Sequence, residues 1–302
     1  MSASSKKVII AALLGNSLVA ATKFVAAAVT GSSAMLSEGI HSVVDTGNQV
    51  LLLYGMKQAQ KPPDEEFPFG HGKEVYFWSF VVAILVFALG AGVSIYEGIK
   101  HLLAPSVIED ATINYIVLAL ALLFEGAAWL FAFREFSHSK GKWGYLEAVH
   151  RGKDPSVFVV LFEDSAAVLG LLVAFAGIWL SQLTGNPVFD AVASLLIGLL
   201  LAATASWLAW ETKGLLIGES ANRWIVEGVR ELASSVDCVE HVNEILTMHM
   251  GPDYILVNVS LDFDDRASAE EVERVVAGLD CEIKKNFPRV KRVFIEARSR
   301  HD

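Results

Sequence analysis

Six apolar stretches, at roughly 8–29, 33–56, 75–99, 111–133, 156–181 and 188–210, each reach the length of about 20 residues that a helix needs to cross a bilayer core. They occupy the chain up to about Lys213, after which charge density rises sharply. The chain is 53% hydrophobic, more apolar than soluble domains of this size, so a membrane class is expected. The expected organisation is a six-span transmembrane domain over 1–213 and a cytoplasmic domain over 214–302. Met1 to Lys7 is too short and too polar for a separate targeting peptide, which makes a prokaryotic plasma membrane the default host.

Positive charges choose the orientation. Lys6, Lys7, Lys57, Lys61, Lys73, Arg134, Lys140, Lys142, Arg151, Lys153 and Lys213 all fall on one side of the six spans, against Lys100 on the other. The positive-inside rule then puts both termini in the cytoplasm. The net charge of −10 sits largely in the tail and gives no reason to expect nucleic acid as a partner. Cys238 and Cys281 lack close spacing and read as small buried apolar residues.

An ionisable group at membrane depth is costly, and each one is a functional candidate. The second span carries Ser37, Glu38, His41, Asp45 and Asn48. His41 and Asp45 are four apart and share a helix face, which Glu38 and Asn48 extend. Imidazole nitrogen with carboxylate oxygen suits zinc and neighbouring divalent metals. A buried His–Asp hydrogen bond that only joins helices is the bland alternative. The fifth span adds adjacent Glu163 and Asp164, which point about 100° apart, so one completes the site and the other orients a ligand, pairs with a cation or carries protons. Ala166, Ala167 and Gly170 just beyond them suggest close helix packing. Lys23 and Glu125, deep in the first and fourth spans, read either as a structural ion pair or as part of proton movement.

The stretch Gly31-Ser32-Ser33-Ala34, running on to Glu38-Gly39-Ile40-His41-Ser42-Val43-Val44-Asp45, resembles the second span of the cation diffusion facilitator family. Phe69-Gly70-His71-Gly72-Lys73-Glu74 is similar to that family's loop before the third span. Leu161-Phe162-Glu163-Asp164-Ser165-Ala166-Ala167-Val168-Leu169-Gly170 looks most like the branch that contains the zinc transporter nine proteins. The resemblance implies a homodimeric secondary transporter in the lipid bilayer. Such a protein exports a divalent metal from the cytoplasm in exchange for protons and needs no prosthetic group. By the same likeness His41, Asp45 and Asp164 align with metal ligands. The family has His or Asp four residues before the last of these, where this chain has Val160, so Glu163, Asn48 or water must stand in. Asp64 and His71 fit a second metal position in the loop, and Lys73 matches a lysine that forms a dimer-stabilising ion pair, here with Glu219.

Past Leu216 the pattern becomes alternating short elements. A helix is expected over 224–232, strands over 242–250 and 255–263 around a turn at Gly251-Pro252-Asp253, a helix opened by the capping box Ser268-x-x-Glu271, and a last strand over 290–297. This αββαβ order resembles the family's ferredoxin-like module, an α+β fold that dimerises. Metal-binding histidines at the strand ends of that module have Glu296 and Arg298 in their place, and His241 and His249 read as surface or core residues. Zinc is the expected cargo. Manganese or iron in the same fold is one rival, and a membrane-anchored metal-binding adaptor or sensor that does not transport is another. A hydrolase is excluded by the lack of a His-Glu-x-x-His or nucleophile motif within a span, so no enzyme activity is expected.

Overall fold

The computed structural model describes residues 3–105, 111–140, 143–145, 147–148 and 155–299, with the side chains of 3–15, 135, 138–139 and 155–157 left aside. Lys142, Arg151 and Lys153, and the side chains of Lys6 and Lys7, lie outside the described part.

Six long helices come first: α1 (Ala3–Thr30), α2 (Ser33–Ala59), α3 (Glu74–Leu103), α4 (Thr112–Ser139), α5 (Pro155–Thr184) and α6 (Val188–Ile217). Helices satisfy their own backbone polar groups, the condition for crossing a hydrocarbon layer that offers no water. Among the described residues, four of them are long and apolar enough to cross a membrane, over Glu74–Leu103, Thr112–Arg134, Phe158–Thr184 and Val188–Ile217. In α1 the described apolar stretch is the shorter Asn16–Thr30. The stripe Ser37, Glu38, His41, Asp45 and Asn48 makes α2 less apolar than the other four. A π-helical turn at Val86–Ala91 interrupts α3.

The α1–α2 turn needs only two residues. Gly31 takes φ 69°, a left-handed conformation open to glycine, and the Ser32 hydroxyl caps α2 by accepting from the Met35 N–H. α2 then sits at the centre of the bundle, packed against α1, α3, α5 and α6, while α4 packs mainly against α1 and α5. Only 11% of α4's apolar window is buried in the chain, against 39–50% for the other three apolar spans, so α4 packs least against the rest of the chain.

α6 runs four residues past Lys213 to Ile217, and the tail follows as α7 (Arg223–Ser234), β1 (Val239–Gly251), β2 (Tyr254–Phe263), α8 (Ala269–Asn286) and β3 (Val290–Ala297). The expected elements form, each within a few residues of its expected bounds. Ser268 Oγ accepts from the Glu271 N–H, as the capping box requires. β1 and β2 pair antiparallel, β3 joins β2 in parallel, and α8 is the crossover. Ile255, Val257, Val259 and Leu261 alternate along β2 into a core with Ile225, Val229, Leu279 and Ile283. Each such side chain stabilises the tail by about 1.5–3 kcal/mol.

The cysteines differ from expectation. Both are free, Cys281 is exposed and Cys238 half-buried, because each falls off the inward face of the small core. His241 is exposed and His249 buried, as read, and Glu296 and Arg298 are exposed.

The tail leans on the α2–α3 loop. Gly72 meets Met250 and Gly251 backbone to backbone, so closely that a β-carbon at Gly72 would run into the Met250 carbonyl oxygen, and Phe69 packs edge-on to Phe294 at 6.5 Å. Gly72→Val is therefore expected to pry the sheet off the loop while the helices stay folded. Hydrogen exchange should speed up in 248–254 and leave α2 unchanged. Unchanged protection there would mean that the contact carries no weight in holding the tail.

Candidate metal site

The site begins with the polar stripe of α2. Ser37, Glu38, His41 and Asn48 are at most 1% exposed, and Asp45 is partly buried at their side. His41 Nδ1 lies 3.3 Å from Asp45 Oδ1 without the alignment of a hydrogen bond, and neither ring nitrogen has another hydrogen-bond partner. The His–Asp hydrogen bond that would join helices is thus not formed. Two buried nitrogens with lone-pair or N–H capacity unused are an energetic cost that a ligand would relieve.

The two adjacent acids of α5 have different surroundings. Glu163 is 4% exposed, and its Oε1 accepts from Asn48 Nδ2 at 2.9 Å. Asp164 instead lines a cavity of about 200 Å³ together with Asp45, Ser42, Gln49 and Glu125. Val160, the position at which a second α5 ligand was expected, lines that same cavity together with Ala167, and both present only apolar side chains to it. Among the described residues, no three His, Cys, Asp or Glu side chains stand close enough together to grip an ion as they are. An ion in this cavity would have to draw its carboxylates inward.

Behind one wall of the cavity is a charge cluster that joins three helices. Lys23 Nζ, fully buried on α1, donates to Glu125 Oε1 of α4 at 2.7 Å, Ser42 Oγ of α2 at 2.8 Å and Glu38 Oε2 of α2 at 3.1 Å. The pairing of Lys23 with Glu125 is the ion pair anticipated from their depth. Glu38 turns towards this lysine and towards Gly170 of α5, whose missing side chain leaves room for Oε1, and it takes no part in lining the cavity.

Sequence reasoning missed Asp190. Although 2% exposed, it accepts from Ser32 Oγ at 2.6 Å, the Ser33 N–H at 2.7 Å and Ser33 Oγ at 2.9 Å, tying the first turn of α6 to the first turn of α2. An acid in the first turn of an apolar helix, facing a Ser-Ser pair at another helix start, was the available signal.

In the loop between α2 and α3, Asp64 and His71 do meet. His71 Nε2 is 2.9 Å from Asp64 Oδ2, and Asp64 Oδ1 accepts from the Phe67 N–H at 2.7 Å. The Phe67 amide, with the His71 ring, holds the Asp64 carboxyl below the usual carboxylate range. Phe67 packs at a tilt against His71 with ring centroids 4.6 Å apart. Lys73 Nζ lies 3.6 Å from Met248 Sδ, and the Glu219 carbonyl accepts from the His249 N–H, so within one chain both expected dimer residues stand beside β1.

Residues 9–217 match a family described as the cation efflux transmembrane domain. The chain is 38% identical over 262 residues to the mitochondrial proton-coupled zinc antiporter SLC30A9 of Xenopus laevis, covering 86% of this chain and 47% of the relative. It is 35% identical over 263 residues to the human protein of that name, covering 86% and 46%. The chain thus spans about half the length of these curated relatives. Similarity to the manganese efflux system protein MneP of Bacillus subtilis (strain 168) is lower, 24% over 298 residues, but runs over 96% of this chain and 95% of that one.

Proposed function

We propose that this chain, which belongs to the cation efflux family, exports a divalent metal from the cytoplasm, zinc first, in exchange for protons. The observation that carries this reading is the cavity between α1, α2, α4 and α5, where Asp45 and Asp164 face one space beside a buried His41 whose nitrogens lack hydrogen-bond partners. Imidazole and carboxylate together suit zinc. Metal ligands must be deprotonated, so an ion and protons compete for the same groups, and exchange follows from the ligand chemistry.

In this reading α1–α6 are six spans with both termini cytoplasmic, and the boundary of the transmembrane domain falls near Lys213. The tail is a ferredoxin-like dimerisation domain, with Lys73 and Glu219 at the contact of a homodimer. Alternating access comes from rocking of α1, α2, α4 and α5 around His41, Asp45 and Asp164. A prokaryotic plasma membrane finds no support among relatives that are mitochondrial by name.

Manganese is the second reading, with iron beside it. Three carboxylates line the cavity and Val160 brings no nitrogen, an oxygen-rich surround that suits manganese better than zinc.

The test is uptake of zinc, manganese and iron into proteoliposomes under an imposed pH gradient. The chain is compared with Asp164→Asn and Glu163→Gln, which keep side-chain size. Asp164→Asn is expected to lose about 100-fold or more in proton-coupled flux, beyond the usual cost of an outer-shell metal partner. Glu163→Gln keeps an acceptor for Asn48 and is expected to retain most of its flux. The reverse pattern would move the ligand to Glu163, and metal binding without flux of any ion would favour a non-transporting adaptor.

A further inference from the structure

Glu125 is an acid on the cavity wall to which the zinc reading gives no role. It reaches the cavity from α4, which supplies none of the aligned ligands. Its Oε1 accepts from Lys23 Nζ, while Oε2 is buried with no hydrogen-bond partner. Leaving a buried carboxylate oxygen unsatisfied is unfavourable, and beside a polar cavity it marks a position from which an ion could be held. Across the cavity Val160 faces the same space without a ligand atom.

We propose that Glu125 is a further metal ligand, supplying from α4 what Val160 does not supply from α5, and that Lys23 is the internal cation Glu125 gives up when metal enters. This rests on the cavity being the transport site. Lys23 can release Glu125 without being stranded, because its ammonium already touches Glu38 Oε2 and Glu38 Oε1 has no hydrogen-bond partner of its own. Once Lys23 is paired with Glu38 alone, Asp45, Asp164 and Glu125 are left as three carboxylates facing the divalent ion. Like charges a few ångströms apart in a poorly screened interior repel strongly, so an ammonium behind Glu125 also weakens the hold on the ion and lets it leave.

The test is zinc binding to the detergent-purified full chain by titration calorimetry, with manganese as a second probe. Glu125→Gln is expected to weaken zinc binding by about 100-fold, more than a group acting through another ligand usually costs. Glu125→His offers an imidazole nitrogen in place of the carboxylate and is expected to recover affinity to within about tenfold of the unsubstituted chain. The double variant Lys23→Met with Glu38→Gln removes the competing cation together with its standing partner, and zinc should bind about tenfold more tightly. Equal affinity in Glu125→Gln and the unsubstituted chain overturns the ligand assignment, as does a loss that Glu125→His shares in full, which marks a packing role. Unchanged affinity in the double variant overturns the part given to Lys23. If the unsubstituted chain binds neither metal, the transport-site reading fails first and takes this assignment with it; if it binds and Glu125→Gln binds equally, Glu125 alone is misassigned.

Discussion

Asp45→Asn is expected to abolish metal flux and to leave the folded chain as stable as before, or more so. Asp45 lines the cavity, and its Oδ1 lies 3.3 Å from His41 Nδ1 without hydrogen-bond geometry. The carboxylate therefore carries a desolvation cost that the resting structure does not repay through a hydrogen bond at that oxygen. An amide of the same size removes the charge and, with it, most of that cost. It also removes an anionic ligand, and flux should fall by about 100-fold or more, past the range for outer-shell partners. The two readouts, zinc flux in proteoliposomes and thermal unfolding in detergent, then move in opposite directions. Groups kept at a cost to the resting fold are where function is to be sought. Flux retained in Asp45→Asn would sink the site, and flux lost along with a large drop in thermal stability would make Asp45 a structural residue.

How much of this was legible in the sequence depends on the range of the interaction. The apolar helices and the tail were readable because their signals are local. A helix of spanning length needs one uninterrupted apolar run, and the alternation of Ile255, Val257, Val259 and Leu261 fits a half-buried strand and not a helix. His41 and Asp45 were readable for the same reason, since a spacing of four on one helix brings side chains together whatever surrounds them. The choice between Glu163 and Asp164 was not, because it depends on the rotation of α5 against α2, which packing sets. The Asn48–Glu163 bond records that rotation across 115 positions of sequence. Glu125 was visible as a buried acid and as a partner for Lys23, but that it opens onto the same cavity as Asp45 and Asp164 follows only from the crossing of α4 over α5.

Asp190→Ala is expected to lower thermal stability and flux together, the opposite pairing to Asp45→Asn. Asp190 stands in the first turn of α6 and accepts from two hydroxyls and one backbone N–H in the first turn of α2 and its cap. Two helix N-termini, each with unpaired N–H groups and a partial positive charge, are joined through one carboxylate. Ser32, Ser33 and Asp190 are all at most 2% exposed, so water cannot replace the lost bonds. Removing the carboxylate strands two buried donors, Ser32 Oγ and the Ser33 N–H, and leaves Ser33 Oγ only the Asp190 carbonyl at 3.4 Å, at a cost of about 2–4 kcal/mol, taking about 1–3 kcal/mol for each stranded donor with partial relaxation. Asp190→Asn should recover only part of this, because its amide nitrogen turns a donor towards groups that already donate. The effect reaches the metal site along the helix. His41 lies eight residues from Ser33, about 12 Å at 1.5 Å per residue, so a loosened anchor swings the ligands of α2 relative to Asp164 on α5. Unfolding temperature and zinc flux measured on the same preparations decide the matter. Stability lost with flux intact would show that α2 holds its place through α1, α3 and α5 alone, and the Asp190 anchor would then serve stability and not transport.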